Sequence, residues 1–195
     1  MILSPTFADI LRPSEKSQAL LYNISLILGG SLFIALSAQI SIGGPVPFTM
    51  QTFAVLLVGA LFGARLGCMS VGLYLLEGLA GLPVFSYWRS GLPMLAGPTG
   101  GYLVGFLAAA YITGFLAQKG WDRRFFTTIL AMCAGNVIIY TFGIVHLINL
   151  FGVKQALVVG LYPFIAGAVI KIFLAAALLP TGWKCLEYCG FLKNR

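Results

Sequence analysis

One lysine lies deep within an otherwise uncharged apolar segment, and it is the residue of this chain with the clearest chemical potential. Lys171 is the only charged residue between positions 155 and 183. At 1.5 Å per helical residue, it lies about 12–14 Å from both Pro163 and Pro180. In a bilayer, an ammonium at that depth costs on the order of 2.5–3.5 kcal/mol unless it faces a partner, a cavity or a ligand. We therefore expect Lys171 to meet an anionic or strongly polar solute, or to pair with Glu77, its obvious protein counter-ion.

Three neutral polar residues in apolar surroundings could supply hydrogen bonds to such a solute. Gln51 offers both a donor and an acceptor, which suits an amide or urea group. Asn136 and Tyr140 are four residues apart and share one helix face. Each also has a structural interpretation, because Gln51 could serve helix capping and Asn136 could join neighbouring helices.

A proline- and glycine-rich segment, GPTGGY at residues 97–102, predicts the start of a helix. Free backbone N–H groups at the positive end of a helix dipole suit a carboxylate. Arg89, in the preceding loop, could add a charge-assisted hydrogen bond. The candidate anion site thus consists of Arg89, Thr99, Gly100 and Tyr102. The structural interpretation is that Gly101, Gly105 and Ala109 form a stripe of small residues for close helix packing. Both roles can hold together, because the stripe and the helix start use different atoms.

Composition assigns the whole chain to the membrane. Of its 195 residues, 59% are hydrophobic and 9% are charged, and its mean hydropathy is +0.97. Soluble domains carry about 25% charged residues. Residues 17–64 contain no Asp, Glu, Lys, Arg or His. The sequence therefore predicts an all-α integral membrane protein.

Glycine, proline and charged residues divide the chain into six predicted transmembrane helices. Their limits are residues 18–42, 48–63, 66–82, 99–116, 125–150 and 157–179. Nine Lys and Arg residues fall on one side and two on the other, and the positive-inside rule then places both termini in the cytoplasm. The nine are Arg12, Lys16, Arg65, Lys119, Arg123, Arg124, Lys184, Lys193 and Arg195.

These spans give a cytoplasmic leader at residues 1–17, a membrane domain at 18–180 and a cytoplasmic tail at 181–195. The outer loop at residues 81–98 is rich in aromatic residues, glycine and proline, which suits a lid over an outward-opening pocket. Ser31, Ala35 and Ala38 form a small-residue face on the first span, which would let a helix of another subunit approach closely.

Several classes of function are not supported. The sequence has no phosphate-binding loop, zinc-hydrolase motif or serine-hydrolase motif, so we do not expect an enzyme. Four cysteines and one histidine do not form a metal-binding pattern, and no cofactor is predicted. The net charge of +7 is spread between apolar spans, which does not indicate nucleic-acid binding.

The order of the motifs resembles that of the BioY family, the biotin-binding S components of energy-coupling-factor (ECF) transporters. The motifs are VPFTMQT at residues 46–52, GALFGARLG at 59–67, YLLEGLAGLPVF at 74–85, GPTGGY at 97–102 and GNVIIY at 135–140. The resemblance implies a six-helix protein of the cytoplasmic membrane that binds biotin from outside, beneath its outer loops. It also implies partners: a transmembrane coupling subunit, reached through Ser31 and Ala35, and ABC-type subunits that hydrolyse ATP.

One position departs from the family pattern. The family typically carries Gly-Asp-x-x-Lys in the last span, whereas this chain has Gly167-Ala168-Val169-Ile170-Lys171. The Asp would suit the ureido N–H groups of biotin, so these would be recognised by Asn136, Gln51 or Glu77 instead. Two alternatives therefore stay open: an S component for a different small vitamin, and a non-transporting membrane scaffold with a structural Lys171–Glu77 pair.

Overall fold

The structure of the chain is a computed structural model that describes residues 4–190. Within these residues, five helical stretches are long and apolar enough to cross a membrane. The prediction of an all-α membrane protein is confirmed at this level, apart from a two-stranded hairpin that was not expected. The elements are α1 Phe7–Ile10, α2 Lys16–Gln39, β1 Ser41–Ile42, β2 Phe48–Thr49, α3 Gln51–Leu79, α4 Pro93–Ala96, α5 Gly100–Ala117, α6 Phe125–Phe151, α7 Val153–Gly160 and α8 Tyr162–Tyr188, with 3-10 helices at Ser86–Trp88 and Trp121–Arg123.

Most predicted spans lie close to the observed helices, but several boundaries were wrong. The last span, predicted at residues 157–179, is α8 Tyr162–Tyr188, which begins later and continues through Pro180 into the predicted tail. The first span ends at Gln39, because Ser41–Ile42 pairs with Phe48–Thr49 as antiparallel strands. The connection predicted at residues 151–156 is reduced to Gly152, whose positive φ of 78° lets α7 begin at the next residue. Of the predicted cytoplasmic tail, residues 191–195 lie outside the described part of the chain.

Helix α3 contains a reversal at Gly63, where φ is 80° and ψ is 175°. The Gln51 side-chain amide lies 2.5 Å from the Tyr74 hydroxyl, although 23 residues of straight helix would separate them by about 35 Å. A Cβ added to Gly67 would lie 2.8 Å from the Cα of Gly59. The two halves of α3, residues 51–62 and 64–79, therefore fold back on each other.

Glycines let the central helices approach closely. The backbone of Ala110 in α5 occupies the space where a side chain at Gly59 would project. Backbone atoms of α6 would lie 2.4 Å from a Cβ at Gly101 and 3.3 Å from one at Gly105. Ala109 is fully buried on the same face of α5. The small-residue stripe of α5 therefore serves close helix packing, in agreement with its structural interpretation.

The predicted subunit-binding face of the first span is occupied within the chain. Ser31 and Ala38 are fully buried, and Ala35 is 7% exposed. Ser31 donates a hydrogen bond to the carboxylate of Glu77. A small-residue face suits any neighbouring helix, and here that neighbour is α3. The assignment of Ser31, Ala35 and Ala38 to a partner surface is thus corrected.

Candidate functional site

A cavity lies beside Lys171, at the end of the bundle that carries the β1–β2 hairpin. We call this the cavity end. The cavity and its opening together contain ≈ 540 Å³ of atom-free space, a volume that includes space open to solvent. Its walls are mostly apolar and come from the hairpin, α3, α4, α5, α6, α8 and the loop before α4. The lining residues are Val46, Pro47, Thr49, Gln51, Thr52, Phe85, Ser86, Met94, Thr99, Tyr102, Leu103, Phe106, Tyr140, Phe164 and Lys171.

Among residues 4–190, the groups that bind the Lys171 ammonium are all neutral. It donates to the Thr49 carbonyl at 2.5 Å and to the Thr52 hydroxyl at 3.0 Å. It also lies 4.2 Å from the centroid of the Phe48 ring, a cation–π distance. The structure forms no ion pair between Lys171 and Glu77, whose carboxylate accepts from Ser31 instead. The predicted structural pair is therefore wrong, and the charge of Lys171 faces the cavity without a carboxylate from the described residues.

The hairpin explains how Thr49 reaches Lys171. Strand β2 ends at Thr49, and the turn into α3 directs the Thr49 carbonyl toward α8. The Thr49 hydroxyl donates to Gln51 Oε1 at 3.1 Å and accepts from the Gln51 backbone N–H at 3.2 Å. The Gln51 side-chain amide in turn donates to Tyr74. Gln51 lines the cavity, but its side chain also holds this corner of the fold together.

Aromatic rings of α6 and α8 form part of the cavity wall and lie next to Phe48 of the hairpin. The ring centroids of Phe48 and Phe164 are 6.3 Å apart, and those of Tyr140 and Phe164 are 6.5 Å apart. The Tyr102 hydroxyl donates to the Gly160 carbonyl at 2.7 Å. The Tyr140 hydroxyl, by contrast, forms no hydrogen bond with any residue between 4 and 190. Within the lining, Tyr140 thus presents a polar group that a ligand could use.

The structure brings five of the nine predicted site residues to the cavity: Gln51, Thr99, Tyr102, Tyr140 and Lys171. Asn136 lies just behind it, in a narrow space shared with Thr52 and Lys171, and donates to the Met132 carbonyl of its own helix. Its observed hydrogen bond is therefore within one helix.

The other three predicted residues lie elsewhere. Glu77 lies at the α2–α3 contact. The Gly100 N–H donates to the Gly97 carbonyl, and the backbone of Leu95 covers Gly100. The predicted anion cradle at this helix start is therefore wrong for Gly100. Arg89 is exposed above the Tyr87 ring, and it lines an outer vestibule that shares Ser86, Met94 and Thr99 with the cavity.

Two residues of the cavity lining were not predicted, although their spacing from predicted residues indicates them. Thr52 follows Thr49 by three residues at the start of α3. Phe164 precedes Lys171 by seven residues, which places both on one face of α8. Helical spacing from the lysine was therefore the available signal for Phe164.

Comparisons with known proteins agree with this geometry. Residues 13–188 match the BioY family. The biotin transporter BioY of Thermotoga maritima is 42% identical over 157 residues, which cover 79% of this chain and 90% of that protein. The biotin transporter BioY of Rhizobium etli is 39% identical over 154 residues, which cover 74% and 82% of the two chains.

A solved structure is similar as well. The S-component for biotin from an ECF-type ABC transporter, a crystal structure at 2.1 Å, matches with a TM-score of 0.74 and 25% identity. The match covers 88% of this chain and 95% of the other. The family match covers residues 13–188, which include every element that forms the cavity. This chain therefore belongs to the BioY family.

Proposed function

We propose that this chain is the substrate-binding S component of an ECF-type transporter, and that it takes up biotin. The observation that carries the proposal is a mostly apolar cavity with an ammonium at membrane depth and no carboxylate from residues 4–190 beside it. Because an isolated buried charge is costly, such a site is kept where a ligand or a transported solute uses it. The relatives named as biotin transporters supply the identity of that solute.

The cavity suits a compact molecule with an apolar body and polar ends. The aromatic wall would contact the rings and chain of biotin. Lys171 would donate to an oxygen of the ligand, and Tyr140 would add a second polar contact. Arg89, at the rim of the vestibule, would attract a carboxylate. Because Ala168 stands where the family has an acid, oxygens of Gln51, Thr49 and Thr99 in the cavity lining would accept hydrogen bonds from the ureido N–H groups.

The same proposal includes the topology and the partners. Counting the two halves of α3 separately gives six membrane crossings with both termini in the cytoplasm, in agreement with the distribution of Lys and Arg. The protein would reside in the cytoplasmic membrane and work with a transmembrane coupling subunit. ATP hydrolysis would occur on separate ABC-type subunits, because this chain belongs to a transporter family and not to an enzyme family.

Equilibrium binding tests the proposal. Purified protein in detergent should bind radiolabelled biotin saturably, with an affinity tighter than micromolar. Unlabelled biotin should displace the label, whereas an uncharged biotin amide should compete less well if a cation meets the carboxylate. Absence of saturable binding in folded, monodisperse protein would overturn the proposal.

Ala168 supports one second candidate, an S component for a different small vitamin. Thermal-shift measurements with biotin, its desthio analogue, thiamine and riboflavin separate the two. Stabilisation by biotin supports the first proposal. Stabilisation by thiamine or riboflavin alone would replace it with the second.

A further inference from the structure

A tight turn forms part of the roof of the cavity. Phe85 and Arg89 form an antiparallel bridge, in which the Phe85 N–H donates to the Arg89 carbonyl at 3.0 Å. Phe85 and Ser86, at the start of this turn, line the cavity and are 1% and 4% exposed. Opening the turn would therefore lift two lining residues away from the cavity.

The turn has an unfavourable backbone conformation. Tyr87 and Trp88 both have left-handed φ angles, of 59° and 58°. For residues other than glycine, this conformation costs about 1–3 kcal/mol and persists only where the surrounding structure imposes it. Both side chains are largely exposed, so their own burial does little to hold the turn.

Gln39 imposes that conformation from outside the cavity. This last residue of α2 donates from Nε2 to the Phe85 carbonyl at 3.1 Å. Its Oε1 accepts from the Trp88 N–H at 3.0 Å. One side chain thus binds the backbone just before the left-handed pair, at Phe85, and within it, at Trp88. Across the turn, the Tyr87 hydroxyl donates to the Gly43 carbonyl at 2.9 Å in the hairpin loop.

We propose that Gln39 is a positioning residue for the ligand site: by holding the turn at residues 85–89 closed, it sets the rate at which ligand leaves the cavity. This inference rests on the proposed function, since it assumes that the cavity holds biotin. Gln39 does not line the cavity, so it acts only through the turn. Without Gln39, the conformation of Tyr87 and Trp88 favours opening.

Dissociation kinetics test the proposal with Gln39→Met, which keeps the side-chain length and removes the hydrogen bonds of Gln39 to the backbone of Val84, Phe85 and Trp88. We expect biotin to dissociate about tenfold faster, since two to three ordinary hydrogen bonds are lost. The matched control is Ser25→Ala on the same helix, whose hydroxyl bonds only to its own helix backbone; its dissociation rate should stay unchanged. A Gln39→Met rate within twofold of wild type would overturn the proposal.

Hydrogen exchange in the absence of ligand separates this inference from the proposed function. In Gln39→Met, amides at residues 84–90 should exchange about tenfold faster, whereas amides of α5 and α6 keep their protection. A merely structural role would instead raise exchange throughout the bundle. If wild-type protein binds no biotin, the proposed function fails, but the exchange result still tests the role of Gln39.

Tyr87→Phe provides a second variant in case Gln39→Met does not fold. It removes only the hydrogen bond to Gly43, on the exposed side of the turn. We expect about threefold faster exchange at residues 84–90, because one bond is lost instead of several. Unchanged exchange in every variant that folds would overturn the proposal.

Discussion

The two ends of the bundle hold a buried charged residue in different ways. At the cavity end, Lys171 contacts a carbonyl, a hydroxyl and a ring, and open space lies beside it. At the other end, Asp122 is 1% exposed and accepts a hydrogen bond from Trp183 Nε1 at 2.6 Å. Phe7 and the Arg123 guanidinium each lie 4.4 Å from Trp183 and cover its ring.

This difference separates a binding group from a structural one. A charge beside a cavity can exchange a protein partner for a ligand atom, so its removal should affect binding more than folding. A charge enclosed by aromatic side chains has no such space, so its removal should affect folding alone. The N-terminal segment takes part in that enclosure, because Arg123 also donates to the Pro5 carbonyl at 3.2 Å.

The largest expected effect is on biotin affinity in Lys171→Met. Loss of a charged hydrogen bond should weaken binding on the order of 100-fold. Thermal stability should be equal or higher, because a desolvated charge is removed. Equilibrium binding and a thermal melt measure the two effects, with Lys154→Met at an exposed position as the control. An affinity within threefold of wild type would contradict a ligand role for Lys171.

The reverse pattern is expected for Trp183→Phe. The variant removes the indole N–H and leaves the buried Asp122 carboxyl without its side-chain donor. Stability should fall by about 1–3 kcal/mol, whereas biotin affinity should not change. Denaturant unfolding in detergent measures the loss. Trp121→Phe is the control, and an affinity loss in Trp183→Phe would remove the distinction between the two ends.

Asp122 should make the stability of the protein depend on pH. Burial raises the pKa of Asp122 from 3.8 to about 6, although the hydrogen bond from Trp183 and the charge of Arg123 act in the opposite direction. The folded state therefore binds more protons than the unfolded state between these values. The free energy of unfolding should fall as the pH rises through this window and level off above it.

Comparison with Asp122→Asn isolates this contribution from that of other carboxylates. Between about pH 4.5 and about pH 7, wild type should lose on the order of 2 kcal/mol relative to the variant. Unfolding free energies of both proteins across this range provide the measurement. Parallel curves would mean that Asp122 has the same pKa in the folded and unfolded states.

The smallest expected effect is that of Tyr140→Phe. Loss of one neutral hydrogen bond to the ligand should weaken biotin binding about 3–10-fold, with no change in stability, because the hydroxyl has no partner in the described chain. Tyr111→Phe, at an exposed position on α5, is the control. A stability loss without an affinity loss would assign Tyr140 to the fold instead of the site.

Some of this structure could be predicted because a single residue or a long pattern carried the signal. The ends of α5 and α6 follow from proline, glycine and charged residues, and Lys171 was identified by its isolation. Glycine at position 63 indicated a break between spans. The tight reversal itself depends on the contact of Gly59 with Gly67, which spacing alone does not specify.

Other features could not be predicted, because a sequence pattern does not specify which residue a given side chain contacts in the fold. Glu77 and Lys171 have complementary charges, but which groups meet is decided by the tilt of α3 and α8. The small residues Ser31, Ala35 and Ala38 would suit a neighbouring subunit or a neighbouring helix equally. Strands of two residues, such as Phe48–Thr49, are too short for periodicity to show, yet they deliver the carbonyl that holds Lys171.

The reversal at Gly63 also affects how the orientation of this protein can be mapped. Because one residue joins the two halves of α3, neither a protease nor a labelling reagent finds a free loop there. A bulky epitope inserted at that point would meet Thr6 and Gln118. Reporter tags should therefore be placed beside Lys119, which is exposed between α5 and α6, and a silent tag at position 63 would say nothing about sidedness.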